Sequence, residues 1–81
     1  MNKKVIIYTQ ETCPPCHAEK QWLKDLGVPF EERDIRKNQQ YLQELIDLGA
    51  SATPVTLVLE ENEKDIVFGF DKEKLSNLLH V

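Results

Sequence analysis

The chain predicts an α/β domain with the element order βαβαββα, a four-stranded mixed sheet flanked by helices. Three observations carry that expectation. Short apolar, β-branched runs alternate with charged stretches in which apolar residues recur at helical spacing. The first run, the first helical stretch and the second run form a β-α-β unit, which implies a parallel pair joined by a right-handed crossover. Two later apolar runs are separated only by Glu61-Asn62-Glu63-Lys64, which reads as an antiparallel hairpin. With 81 residues and no linker, repeat or low-complexity segment, a single domain spanning residues 1–81 is expected.

Residues 4–9 are a compact β-branched run suited to a strand buried on both faces. Ala18, Trp22, Leu23 and Leu26 then recur at helical spacing, and Gly27 stands where a helix would end. Residues 29–35 form a second, more polar strand that suits a sheet edge. Asn38 is placed to cap a second helix whose apolar stripe is Tyr41, Leu42, Leu45, Ile46 and Leu48, with Gly49 as its stop. Residues 54–60 and 65–70 are the hairpin strands. Within the second of these, Ile66, Phe68 and Phe70 alternate, which turns them to one side of the sheet and into the core. Phe70 also has a substrate-contact reading. Leu75, Leu78 and Leu79 give a short terminal helix beginning near Asp71, which would serve as its N-cap.

The net charge of −4 and the absence of a basic stripe argue against a nucleic-acid or other phosphate-binding function. No apolar stretch approaches membrane-spanning length, and residues 5–8 are too short for a secretory h-region. A cytoplasmic protein is expected, in a compartment that keeps thiols reduced. There a two-cysteine motif is catalytic or metal-binding rather than a permanent crosslink.

Both cysteines lie in Glu11-Thr12-Cys13-Pro14-Pro15-Cys16-His17, between the buried strand and the first helix. A bridge there closes too small a ring to restrain the unfolded chain, so a structural staple is a poor reading. A structural zinc site needs four ligands, and only His17 and His80 are available to join the cysteines. His17 follows Cys16 directly on the helix and points elsewhere, so no metal is expected within one chain. The redox reading fits better. Residues i and i+3 of a helical turn lie close to the separation a disulfide needs. The helix N-terminus favours a thiolate at Cys13. Cys13 would attack a substrate disulfide, and Cys16 would resolve the mixed disulfide. Pro14 and Pro15 suit the first helical turn and stiffen it, but they withhold two N–H groups from the Cys13 sulfur.

Tyr8-Thr9-Gln10-Glu11-Thr12-Cys13-Pro14-Pro15-Cys16-His17, Ala52-Thr53-Pro54 and Gly69-Phe70 together resemble the glutaredoxin family, including its NrdH-type redoxins. The resemblance covers essentially the whole chain and implies a thioredoxin-like fold. It also implies dithiol–disulfide exchange through Cys13 and Cys16 with no bound cofactor. Pro54 would be cis and face the cysteines, with the backbone of Thr53 pairing with an extended substrate segment or with glutathione. The candidate binding residues are then Gln10, Pro15, Thr53, Pro54, Gly69, Phe70 and Asp71. Several of them depart from the glutathione-using pattern. Gln10 stands where that pattern commonly has lysine, and Pro15 where it usually has an aromatic residue. Gly69-Phe70-Asp71-Lys72 replaces Gly-Gly followed by an acidic pair. Gly-Phe is similar to NrdH-type redoxins, which thioredoxin reductase reduces and which supply electrons to ribonucleotide reductase, although their usual Arg-Pro is here Asp71-Lys72. The implied partners are disulfide-containing proteins and thioredoxin reductase, with a monomeric protein expected. The alternatives are a glutathione-dependent glutaredoxin, and a noncatalytic redox sensor or iron–sulfur carrier sharing a cluster between chains.

Overall fold

A computed structural model describes residues 3–81. The elements follow the order β1 (Lys4–Thr9), α1 (Pro14–Asp25), β2 (Glu31–Asp34), α2 (Gln39–Asp47), β3 (Val55–Glu60), β4 (Glu63–Phe68) and α3 (Lys72–Leu79). The four strands form one mixed sheet in the order β2-β1-β3-β4. β1 and β2 are parallel, with Ile6 opposite Glu31, while β1 pairs antiparallel with β3, with Tyr8 opposite Val55. The β3–β4 hairpin closes through Glu60 opposite Glu63. This is the thioredoxin-like architecture expected from the sequence.

The alternation of β1 supplies two cores. Ile6 and Tyr8 face α2, where they pack with Leu45, Val55 and Leu57. Val5 and Ile7 face the other side and pack with Leu23 of α1, with Leu79 of α3 against them. The central strands β1 and β3 are therefore covered on both faces. The edge strand β2 is polar and shorter than expected. Pro29 cannot donate to a ladder, and pairing begins only at Glu31.

Three apolar assignments differ from the sequence reading. On α1 the buried face is Cys16, Glu19 and Leu23, whereas Ala18 is exposed and the C-cap Leu26 is 45% exposed. The disulfide turns Cys16 inward, and positions three and seven residues on follow it. On α2, Leu45 is buried but Leu42 and Ile46 are exposed, because only one row of that helix meets the sheet. β4 ends at Phe68, before Gly69 takes φ +77°. That positive φ breaks the two-residue alternation after Phe68, so Phe70 leaves the face that Ile66 and Phe68 share. Phe68 stays on that face opposite Val55 but is not part of the cluster around Leu45. Phe68 is 57% exposed. Phe70 turns to α1, where its ring meets that of Trp22 edge-on at 5.8 Å.

Among the described residues no helix is long and apolar enough to cross a membrane.

Candidate functional site at the Cys13–Cys16 disulfide

The site grows from the end of β1. After Thr9 the chain turns, with Cys13 N–H donating to the Gln10 carbonyl at 3.2 Å. Cys13 is extended (φ −114°, ψ 99°) and forms the N-cap of α1, with Pro14 and Pro15 in the first two helical positions. Neither proline has an N–H to leave unsatisfied, and their fixed φ suits the first turn. The remaining donor at the helix entry, Cys16 N–H, reaches Cys13 Sγ at 3.2 Å. The sulfur thus stands where a capping oxygen usually stands. Cys13 and Cys16 are joined as a disulfide across a Cα separation of 5.2 Å.

The two sulfurs are not equivalent. Cys13 retains 8% exposure and Cys16 has none. Pro15 is exposed on the same turn. His17 sits outside the pair, its Nε2 at 2.6 Å from the Glu11 carbonyl oxygen, so it braces the loop rather than facing the sulfurs. Among the described residues no three His, Cys, Asp or Glu side chains gather into a metal-binding group.

A second loop leaves the same end of the sheet, because Val55 at the start of β3 pairs with Tyr8 near the end of β1. The Thr53–Pro54 peptide bond in that loop is cis. Gln10 ties the two loops together, its Nε2 donating to Thr53 Oγ1 at 3.2 Å. Gly69 N–H donates to the Pro54 carbonyl at 2.8 Å, which brings the end of β4 to the same place. Ala50, Thr53, Pro54, Phe68 and Gly69 are among the residues that line an open groove of about 290 Å³. Gln10, Cys13, Cys16, Pro15, Thr53, Pro54 and Gly69 therefore gather around one end of the sheet.

Phe70 and Asp71 stand differently. The Phe70 ring lies against Trp22, with Lys72 Nζ 5.6 Å from its centroid. The Asp71 carboxylate accepts from Lys74 N–H at 3.0 Å and caps α3.

Apolar counting also missed a set of buried polar side chains between α1 and the sheet. Glu19, Thr9 and Thr56 are all without solvent exposure. Thr56 Oγ1 donates to Glu19 Oε2, while Glu19 Oε1 has no hydrogen-bond partner. Burial pushes the Glu19 carboxyl up to about 7, and the Thr56 hydrogen bond opposes that rise only in part. Thr9 Oγ1 donates to Glu32 Oε2 at 2.8 Å, which Lys20 Nζ also meets at 2.7 Å. Burial works against the Glu32 charge, but these two donors outweigh it and hold the carboxyl below its usual range. The signal for Glu19 in the sequence was its place three residues after Cys16. The exposure of Phe68 was also missed, because the alternation correctly puts it on the face of Ile66 and only the packing leaves it uncovered.

The family model for glutaredoxin matches residues 5–61. The chain is similar to the Gene 56 protein of Mycobacterium phage D29, with 35% identity over 78 residues, covering 93% of this chain and 81% of that protein. It is similar also to the glutaredoxin-like protein NrdH of Lactococcus lactis subsp. lactis, with 28% identity over 75 residues, covering 91% and 97%. Among solved structures, the thioredoxin-like protein BC3987 superposes with a TM-score of 0.79 at 37% identity, covering 93% of this chain and 99% of that one. The matched region includes the central strands, the Cys-Pro-Pro-Cys turn and the cis-proline loop: the chain belongs to the glutaredoxin family.

Proposed function

We propose that this glutaredoxin-family redox protein is a dithiol–disulfide oxidoreductase that reduces protein disulfides, with thioredoxin reductase as its reductant. A ribonucleotide reductase disulfide is one substrate of that class, by analogy with NrdH-type redoxins. Cys13 is the attacking sulfur and Cys16 the resolving one. The observation that carries this order is the asymmetry at the N-terminus of α1, where Cys13 reaches solvent and Cys16 does not. A helix N-terminus and the Cys16 N–H both favour negative charge on Cys13 Sγ. An incoming disulfide meets that sulfur first.

The groove beside the cis-proline loop is the proposed seat for an extended substrate segment, through the backbone of Thr53 and the walls formed by Phe68 and Gly69. Support for thioredoxin reductase over glutathione comes from three side chains. Gln10 is neutral and engaged with Thr53. Asp71 is engaged as a helix cap, and Lys72 lies over the Phe70 ring. Each of the three already has a partner within the protein, and Gln10 offers no charge to a glutathione carboxylate.

The test is a paired turnover assay on one protein disulfide. NADPH with thioredoxin reductase is expected to sustain turnover, and glutathione with its reductase to sustain far less. Turnover driven only by the glutathione system would reverse the assignment of reductant.

A further inference from the structure

Glu19 is the only carboxylate in the buried set among the described residues, and the exchange chemistry above does not use it. We propose that Glu19 is the proton acceptor for the Cys16 thiol, so that the resolving step draws its base from within α1 rather than from solvent. The proposal rests on Cys16 being the resolving sulfur.

The geometry begins with helical spacing. Residues three apart on a helix are surface neighbours. Cys16 and Glu19 share the α1 face that meets the sheet, and both have 0% exposure. Thr56 anchors one oxygen of Glu19, and the other has no partner. In the disulfide, Cys16 has no proton to give. Reduction creates an S–H on the residue one helical turn before the one that carries the unpartnered oxygen. Ionising a thiol out of contact with water is costly unless its proton moves to a neighbour. A carboxyl held near neutrality by burial is matched to that exchange at working pH.

Among the described residues every other charged group on the surrounding elements keeps some exposure, whereas Glu19 has none. β1 and β3 present Thr9 and Thr56 on this face; β4 presents Val67 and, two residues earlier, the half-buried Asp65, and β2 presents Glu32 and Asp34. Lys20 and Glu32 form a pair closed by a 2.7 Å contact. α3 contributes the buried Leu75, while its Lys72, Glu73 and Lys74 are exposed.

The step balances as a proton transfer followed by a displacement. The Cys16 S–H proton moves to the Glu19 carboxylate, leaving a thiolate and a carboxylic acid. The Cys16 thiolate attacks Cys13 Sγ of the mixed disulfide, the Cys13–Cys16 bond forms, and the bond to the substrate sulfur breaks. The substrate leaves with the electron pair as a thiolate, which takes a proton from solvent. When the disulfide is reduced again, the Glu19 carboxylic acid returns its proton to Cys16.

Stopped-flow reaction of the fully reduced protein with stoichiometric dithionitrobenzoate separates the two sulfurs. The first burst of thionitrobenzoate reports attack by Cys13, and the second, intramolecular burst reports resolution by Cys16. In the wild type the second burst is expected to rise through an inflection near neutral pH. Glu19→Gln is expected to slow that burst about tenfold or more at neutral pH and to erase the inflection. A second burst with unchanged rate and pH profile in Glu19→Gln overturns the proposal. A first burst that survives at the wild-type rate in Cys13→Ser would instead overturn the assignment of Cys13 as nucleophile. Should Glu19→Gln fail to fold, Thr56→Val carries the test. Loss of the donor to Oε2 should move the inflection to higher pH, and an unmoved inflection overturns the role of Glu19.

Discussion

The Thr56 hydroxyl on β3 donates to the Glu19 carboxylate on α1 inside an interface where neither residue meets solvent. One hydrogen bond softens the cost of that burial without removing it. The carboxyl titrates near 4.5 in the unfolded chain and at about 7 in the folded protein. The folded state therefore binds this proton more tightly. The stability it contributes is complete below about 4.5 and is lost as pH rises through about 7. A rise from 4.5 to about 7 corresponds to roughly 3 kcal/mol. Urea unfolding of the oxidised protein should show a decline of that order between about pH 5 and about pH 8, and Glu19→Gln should flatten it. An equal decline in the variant would place its origin elsewhere.

Cys13→Ser should abolish disulfide reduction altogether. Cys16→Ser should leave Cys13 able to attack but unable to let go, and intact-mass spectrometry should then find the protein joined to its substrate. Dithiol activity surviving in Cys13→Ser would end the proposed mechanism.

Pro15 occupies the second helical position, from which an N–H commonly reaches the N-cap side chain. Cys16 N–H alone reaches Cys13 Sγ from the helix. Pro15→Tyr restores the missing donor at an exposed position, so thiolate absorbance in the reduced variant should appear at lower pH than in the wild type. A midpoint that stays put or moves upward would mean that residue 15 does not address the sulfur.

Asp71 is expected to behave as a helix cap. Asp71→Ala should cost about 1 kcal/mol of stability, while Asp71→Asn, which keeps a capping oxygen, should cost much less. Neither variant should change the KM for glutathione-driven turnover. A rise in that KM with Asp71→Asn would return Asp71 to the list of ligand-binding residues.

Phe68 offers a large apolar surface beside the groove. Phe68→Ser should raise the KM for a protein disulfide severalfold and leave its kcat nearly unchanged, because the ring would contact the docked segment rather than the bond being exchanged. Loss of kcat with no change in KM would contradict a docking role.

What the sequence made legible follows from periodicity. The β1 run, the Asn38 and Asp71 caps and the hairpin are local patterns, and all four appear in the structure. The cysteine turn was legible for the same reason, since spacing alone places Cys16 one helical turn into α1. What escaped were features with long-range causes. Glu19 reads as a solvated charge until β3 supplies Thr56. Phe68 reads as core, and it does share the face of Ile66, but the packing of the other elements leaves it largely exposed. The polar character of β2 likewise gained meaning only in three dimensions. There Arg33 reaches Glu44 of α2 at 2.8 Å and the Tyr8 hydroxyl at 3.1 Å, fastening the edge strand and α2 to the centre of the sheet.

The antiparallel pairing of β1 with β3 places everything chemical at one end and the Glu61–Asn62 turn at the other. Six residues of extended strand separate the two, a distance of roughly 20 Å. That turn is exposed and joins only the hairpin strands. It is the natural handle of the molecule, where a fluorophore, a surface tether or a fused partner could be attached while the sulfurs at the far end stay free to meet their substrates.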